Sequence, residues 1–157
     1  MTLRRFDAAD LVSVQSLIYL TVDSSYSGVY PPRAVQYFKE FHSLEHILER
    51  QAAGEVLVVQ RDGVMVGTGA IVGAEISGVF VHPQFQRRGI GGQVMDVLEN
   101  HARAAGHESV CLAVSLPSRP FYESRGYHLL GDRSIDVGEG ERLDYWTAEK
   151  SLGAGES

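Results

Sequence analysis

Hydrophobic spacing in the first third of the chain predicts a strand followed by helices. Thr2–Phe6 is predicted as the strand. Apolar residues then recur at helical spacing, on a face formed by Leu11, Val14, Leu17 and Ile18. Two further helical patterns follow a polar loop over Asp23–Pro32, one beginning near Ala34 and the other capped by Ser43.

The middle of the chain carries three strand patterns. β-branched and apolar residues predict strands over Glu55–Gln60, Val64–Val72 and Glu75–Val81. The dipeptide Asp62-Gly63 between the first two is typical of a tight hairpin turn. Gly78 interrupts the third pattern, which indicates a β-bulge.

The last third alternates helices and strands. A helical pattern runs from Val94 to Ala105, and Val110–Val114 is predicted as a strand buried on both faces. A short helix over Pro117–Ser124 precedes two final strands, Tyr127–Ile135 and Arg142–Lys150. This order of elements predicts an α+β fold built on one mixed sheet.

Composition limits the function classes. The 157 residues are 44% hydrophobic and 22% charged, which is typical of one globular domain, expected over residues 1–150 with a flexible tail over 151–157. The net charge of −6 argues against nucleic acid or an anionic membrane as a partner. A single cysteine, Cys111, leaves no intramolecular disulfide. The chain has no membrane-length apolar run and no signal-peptide pattern, so a cytoplasmic location is expected.

The most informative segment is Val79-Phe-Val-His-Pro-Gln-Phe-Gln-Arg-Arg-Gly-Ile-Gly-Gly92, which ends a strand and begins a helix. Its glycines let the backbone approach a ligand closely, and free amides at a helix N-terminus attract anions. It lacks the spacing of a Walker loop or a dinucleotide fingerprint. A phosphate-bearing ligand is predicted, with a tight turn carrying surface arginines as the alternative.

Two segments resemble the GNAT superfamily of acyl-CoA-dependent N-acetyltransferases. Gln86-Arg-Arg-Gly-Ile-Gly91 matches the family's Q/R-x-x-G-x-G/A pyrophosphate loop, and Pro120-Phe-Tyr-Glu-Ser-Arg-Gly-Tyr127 is similar to its Phe-Tyr-x-x-x-Gly-Phe/Tyr segment. One predicted helix and one strand separate them, as in the family, and the resemblance covers nearly the whole chain. It implies a three-layer fold with a mixed, mostly antiparallel sheet of about seven strands flanked by helices.

The resemblance implies acetyl-CoA as the cosubstrate. The residues whose backbone amides would hold its pyrophosphate are Gln86, Arg87, Arg88, Gly89, Ile90, Gly91 and Gly92. Val79, Phe80 and Val81 would pair with the pantetheine arm as if it were an added strand, and an N–H near Val81 would face the oxygen that gains charge. Ser115 stands where many members have Asn, and its hydroxyl can replace part of that amide's contact with the arm.

The resemblance also implies catalytic residues for direct acetyl transfer to a primary amine in a ternary complex, without a metal. Tyr122 matches the tyrosine that protonates the leaving thiolate, and packing in its short helix is the alternative. Glu75, eleven residues before Gln86, has the offset of the base in the histone-acetylating branch, and a solvated glutamate is the alternative. A non-catalytic acyl-CoA-binding or sensor module would need neither residue.

Other candidate residues are weaker. His42 and His46 have metal-ligand spacing but no predicted partner, so surface or packing histidines are predicted, with His42 alternatively near the acceptor. Cys111 is predicted to be buried and unreactive.

An aromatic group surrounds the first loop and the second helix. Tyr26 and Tyr30 belong either to the core or to an acceptor pocket, whereas the core is predicted for Tyr37 and Phe38. The sequence leaves the acceptor open among a polyamine, an antibiotic, an amino acid and a protein. It also leaves the oligomeric state open, and an edge strand over Arg142–Lys150 could pair across a homodimer.

Overall fold

The computed structural model describes residues 1–153, which form a seven-stranded sheet with helices packed on both faces. The strands are β1 (Thr2–Arg5), β2 (Glu55–Arg61), β3 (Val64–Val72), β4 (Glu75–Val81), β5 (Ser109–Val114), β6 (His128–Gly138) and β7 (Glu141–Ser151). The helices are α1 (Leu11–Ser25), α2 (Pro32–Phe41), α3 (Leu44–Ala53), α4 (Ile90–Ala104) and α5 (Arg119–Ser124). This architecture confirms the predicted fold class.

The centre of the sheet is split. The strand order is β1-β2-β3-β4-β5-β7-β6, and every neighbouring pair is antiparallel except β4 and β5. The parallel pair has a single point of register, Glu75 opposite Cys111, at the beginning of β4. Beyond that point the two strands diverge, so the rest of β4 presents an open edge toward a cleft.

Gly78 forms the predicted bulge in β4. Phe80 lies opposite Thr68 and Ser77 lies opposite Ala70, so β4 carries one more residue than β3 across the same interval. Gly78 has a φ of +62°, a conformation that side chains other than glycine adopt with strain. The bulge bends β4 where it leaves β5.

Two hydrophobic layers sandwich the sheet. Alternation in β2 sends Val59 into the layer under α4 and Val58 into the layer under α1 to α3. The close approach of α4 depends on Gly69 in β3, because an added Cβ there would lie 2.6 Å from Val94 Cγ1. The position of α4 on the sheet fixes the glycine-rich turn at its N-terminus.

The prediction that Val110–Val114 is buried on both faces is wrong. Val110, Leu112 and Val114 are buried, but Cys111 and Ala113 are exposed. One face of β5 packs under α4, whereas the other borders the cleft left by β4. The same geometry corrects the prediction that Cys111 is buried.

The end of the chain also differs from expectation. The strand predicted over Arg142–Lys150 is β7, and it lies between β5 and β6 rather than at an edge of the sheet. It extends through Ser151, and Leu152 after it is buried, so these residues pack with the domain instead of forming a tail. The remaining tail residues, 154–157, lie outside the described residues. None of the helices within residues 1–153 is both long and apolar enough to cross a membrane.

Candidate functional site

A cavity of about 470 Å³ occupies the cleft where β4 and β5 diverge. Its lining comes from β4, β5, α2, α5 and the β6–β7 pair, and it includes Glu75, Val79, Phe80, Cys111, Tyr122 and Tyr145. A volume of this size suits a small-molecule ligand. The glycine-rich turn begins directly after β4, so the turn and the cavity share one strand.

Most backbone N–H groups of the glycine-rich turn have no hydrogen-bond partner among the described residues. Positive φ values of 65° at Arg87 and 83° at Gly89 bring the chain into α4. Within residues 1–153, no acceptor receives a hydrogen bond from the N–H groups of Gln86 through Gly92. These donors lie before and within the first turn of a 15-residue helix, and the positive end of a helix favours an anion.

The side chains of the turn have structural contacts. The side-chain amide of Gln86 donates through Nε2 to the Val81 carbonyl at 3.0 Å and so closes the turn back onto β4. The Arg88 guanidinium lies 5.3 Å from the centre of the Phe85 ring. An added Cβ at Gly91 would lie 3.3 Å from the Phe121 ring, so this glycine lets α5 pack against the turn. The two sequence motifs are therefore in contact in the fold.

Tyr122 on α5 is buried between the turn and the cavity. Its hydroxyl makes no hydrogen bond to the part of the chain that the structure describes, and it is not among the fully enclosed unpartnered atoms. The hydroxyl therefore faces the cavity. Burial raises the pKa of Tyr122 well above its usual value, so the phenol stays protonated at neutral pH.

Polar contacts hold α5 in place. Arg125, just after α5, donates to Asp96 at 2.7 Å, and the Tyr127 hydroxyl donates to Glu99 at 2.8 Å. Lys150 of β7 reaches the same Glu99 carboxylate at 2.9 Å. These contacts tie α5 to α4 and β7, so Tyr122 keeps a fixed position relative to the turn.

Glu75 lies at the mouth of the cavity. It is exposed at the first position of β4, opposite Cys111 of β5. The Cys111 thiol also lines the cavity, and partial burial together with the carboxylates of Glu75 and Glu149 raises the pKa of that thiol. A raised pKa disfavours the thiolate that a cysteine nucleophile requires.

Ser115 has little hydrogen-bonding capacity left for its predicted contact with the pantetheine arm. It is buried, and its hydroxyl lies 2.9 Å from the Tyr26 hydroxyl and 2.7 Å from the Ser118 hydroxyl. A hydroxyl offers one donor and two acceptor positions, so at most one position is left for a ligand. Ser115 mainly ties the end of β5 to the residue that follows α1.

The two candidate metal ligands, His42 and His46, have different environments. The Nδ1 atom of the buried His42 lies 3.0 Å from Nη1 of Arg50, and that of the exposed His46 lies 2.9 Å from Ser43 Oγ. Burial, assisted by the charge of Arg50, lowers the pKa of His42 to about 3. In the described part of the chain, no three His, Cys, Asp or Glu side chains are grouped to hold a metal ion.

Aromatic side chains line the side of the cavity formed by α2 and the residues after α1. Tyr26, Tyr37 and Phe38 line it, whereas Tyr30 is outside it and donates to the Asp144 carbonyl at 2.8 Å. Tyr37 and Phe38 are half-buried: they pack against the core as predicted, at its margin, and they line the cavity as well. Sequence reasoning missed the contribution of β7, although the cavity-lining residues Leu143, Tyr145 and Thr147 show the two-residue period of one strand face.

Comparisons with known proteins agree on the fold. Residues 23–138 match the family model of the acetyltransferase (GNAT) domain. A GCN5-related N-acetyltransferase from Rhodopseudomonas palustris has a TM-score of 0.86 at 22% identity, over 96% of this chain and 94% of that one. PaiA N-acetyltransferase from Thermoplasma acidophilum, in complex with coenzyme A, has a TM-score of 0.74 at 18% identity, over 96% and 98% of the two chains. YncA from Salmonella typhimurium, with its cofactor acetyl-CoA, has a TM-score of 0.71 at 21% identity, over 100% and 96%. No curated protein sequence matches the chain.

Proposed function

The chain belongs to the GNAT acetyltransferase family, and from this premise we propose that it transfers the acetyl group of acetyl-CoA directly to a primary amine in a ternary complex. The observation that carries the proposal is the run of free amides from Gln86 to Gly92, directly beside the open edge of β4. The free amides suit a pyrophosphate, and the open edge of β4 suits an extended arm that contains amide groups.

The described residues fit acetyl-CoA in two respects. The free amides of Gln86 through Gly92 match the negative charge of a pyrophosphate. Val79, Phe80 and Val81 lie on β4 beyond its register with β5, so their backbone can pair with a pantetheine arm in the manner of an added strand. Bound acetyl-CoA supplies an activated thioester carbonyl at the cavity.

In this proposal Tyr122 donates the proton that a departing thiolate needs. Its hydroxyl is protonated, has no described hydrogen-bond partner and faces the cavity. The apolar surroundings that raise the pKa of a phenol also raise that of a thiol, so the two groups remain matched for proton transfer.

Glu75 is the proposed base for the amine. It lines the cavity and is exposed, so it can accept a proton directly or through water and release it to solvent. The raised pKa of Cys111 supports direct transfer over a route through a cysteine thioester.

A thermal-shift titration with acetyl-CoA tests the cofactor assignment. Ligand at one hundred times its Kd adds ~2.7 kcal/mol, which raises Tm by roughly 5–10 °C for a domain of this size. We expect Gly89→Val to lose this shift, because a side chain at a φ of +83° distorts the turn. CoA release from acetyl-CoA in the presence of a panel of primary amines then tests catalysis.

Gly106→Val is the matched control for Gly89→Val. Both glycines flank α4, have positive φ and have no atoms within 4 Å of an added Cβ. Both variants therefore carry similar strain, of about 1–2 kcal/mol. Loss of the acetyl-CoA shift in both, or in neither, would contradict binding at this turn. Binding without CoA release for any amine would instead indicate a non-catalytic acyl-CoA module.

A further inference from the structure

His42 occupies an unusual position for a polar side chain. It directly follows α2 as the C-cap residue, is only 5% exposed and lines the cavity. Its ring packs edge-to-face between Phe41 and Phe80, with centroid distances of 5.2 and 5.0 Å. Two aromatic contacts fix the plane of the imidazole, so its nitrogen atoms point in defined directions.

The contact with Arg50 fixes the tautomer of His42. Arg50 Nη1 lies 3.0 Å from His42 Nδ1, and a guanidinium can only donate. Nδ1 is therefore the acceptor, and the ring proton lies on Nε2. Arg50 is held in turn by the Phe41 carbonyl, to which Nη2 donates at 2.8 Å.

The bulge in β4 makes room for this pair. An added Cβ at Gly78 would lie 3.1 Å from Arg50 Nη1 and 3.9 Å from His42 Nδ1. The bare backbone of the bulge therefore lets the guanidinium reach the ring. The pair lies beside the bend of β4 at which the cleft opens.

The Nε2–H group of His42 has no partner within residues 1–153. It takes part in none of their hydrogen bonds, and Nε2 is not among their enclosed unpartnered atoms. Because the residue as a whole is buried and lines the cavity, this N–H opens into the cavity. A buried donor of this kind gains a hydrogen bond when a ligand supplies an oxygen.

We propose that His42 is a specificity-determining residue whose Nε2–H donates to a carbonyl-type oxygen on the acceptor, so that the enzyme prefers primary amines that carry such an oxygen on an apolar body. The inference rests on the proposed amine acetyltransferase function. Tyr37, Phe38 and Phe80 supply apolar walls for the body of the acceptor. The Arg50 charge behind the ring polarises the N–H toward an electron-rich oxygen.

Matched amines test this preference. Leucinamide and 3-methylbutylamine share an apolar body and differ in the carboxamide, as do phenylalaninamide and 2-phenylethylamine. Within each pair the amine pKa also differs, so the effect of His42 is measured as the change in the ratio of kcat/KM between enzymes, in which that difference cancels. We expect His42→Leu to lower the ratio of kcat/KM for the carboxamide to kcat/KM for the plain amine about tenfold, because the carbonyl oxygen loses its donor and is left unpaired.

Two further variants sharpen the comparison. His42→Gln keeps an N–H donor at a similar reach, so it should retain part of the preference. His128→Leu, at an exposed histidine of β6, should retain all of it. Acetyl-CoA thermal shifts on each variant establish that folding and cofactor binding persist.

The possible results separate the two proposals. An unchanged ratio in a folded His42→Leu variant would overturn the role of His42 and leave amine acetylation standing. If the wild type binds acetyl-CoA but acetylates no amine of a broad panel, the proposed function fails and the inference fails with it.

A measurement on the wild type covers the case in which His42→Leu does not fold. Imidazole ¹⁵N NMR should report a neutral ring protonated on Nε2 at pH 7, with a shift of that nitrogen on saturation with acetyl-CoA and leucinamide. A proton on Nδ1, or an Nε2 signal that leucinamide leaves unchanged, would overturn the proposal.

Discussion

At the scale of single residues, burial determines what the cavity's polar groups can do. The same apolar cavity keeps the Tyr122 phenol protonated and the His42 imidazole neutral, because burial penalises the charged form of either group. The Tyr122 phenol is therefore available as a proton donor, and the His42 imidazole as a neutral hydrogen-bond donor. Glu75, at the exposed mouth, is the acidic side chain that lines the same cavity.

Replacing Tyr122 by Phe removes the proposed proton donor. We expect kcat to fall about a hundredfold, the usual scale of general acid catalysis, while the Kd for acetyl-CoA stays nearly constant. Steady-state kinetics and a binding titration measure the two effects. Tyr19→Phe, on a side chain that contacts Lys39 away from the cavity, is the control. Weaker acetyl-CoA binding with kcat intact would assign Tyr122 to binding instead.

His42 should make folding stability depend on pH. Its pKa is near 6.5 when unfolded and about 3 when folded, so below pH 6.5 the unfolded chain binds a proton that the folded chain does not. The contribution of His42 is fully present above pH 6.5 and declines as the pH falls toward 3. Between pH 8 and pH 5, wild type should lose about 2 kcal/mol more than His42→Gln.

Denaturant unfolding of the two proteins at both pH values checks this expectation. The matched control is His128→Gln, which changes an exposed histidine and should keep the wild-type dependence on pH. Equal losses of unfolding free energy for wild type and His42→Gln would mean that the pKa of His42 is the same in the folded and unfolded states.

At the scale of elements, the position of α4 determines the geometry of the turn that precedes it. Gly67 and Gly69 of β3 let the helix approach, since an added Cβ would lie 2.9 Å from Ile90 Cγ2 or 2.6 Å from Val94 Cγ1. Ile90 is also the first residue of α4. Packing beneath the helix is therefore coupled to the geometry of the proposed cofactor site at its N-terminus.

A methyl group beneath α4 tests this coupling. Gly69→Ala should lower the free energy of unfolding by about 2 kcal/mol through overpacking, a fall in Tm of roughly 4–8 °C. Its acetyl-CoA affinity should also weaken as α4 shifts. Thermal melts with and without ligand measure both effects. Gly28→Ala, which meets no atom within 4 Å, should change neither, and a Gly69→Ala protein with wild-type Tm would refute the tight packing.

At the scale of the whole molecule, the split between β4 and β5 opens a cleft in a sheet that is otherwise continuous. On the edge of β4 that faces β5, residues 79–81 have no strand partner, and the turn after them carries backbone amides without partners within residues 1–153. Such groups exchange hydrogen rapidly until a ligand covers them. The homodimer remains a prediction, now without the edge strand first proposed for it.

Hydrogen exchange identifies the backbone amides that acetyl-CoA protects when it binds. We expect amides of Gln86–Gly92 and of Val79–Val81 to gain protection when acetyl-CoA binds, because they become hydrogen-bonded. The exposed turn at Ser27–Gly28 should exchange at the same rate in both states. Protection confined to other parts of the chain would place the ligand elsewhere.

The sequence by itself determined the order of elements, the bulge at Gly78 and the turn before α4. These features are local: the two-residue period of strands, the positive φ of a glycine and the free amides of a helix start all depend on neighbouring residues. The two motifs that carry the family resemblance are of the same kind. For that reason the fold class could be predicted from the chain alone.

The tertiary structure decided what no local pattern contains. The exposure of Cys111, the cavity-lining positions of Tyr37 and Phe38, and the contact between His42 and Arg50 all follow from which strands and helices become neighbours. β7 lies inside the sheet because it pairs with both β5 and β6, contacts between segments far apart in sequence. Burial, and with it the pKa values of the cavity, is a property of the packed chain, so only the assembled fold could assign it.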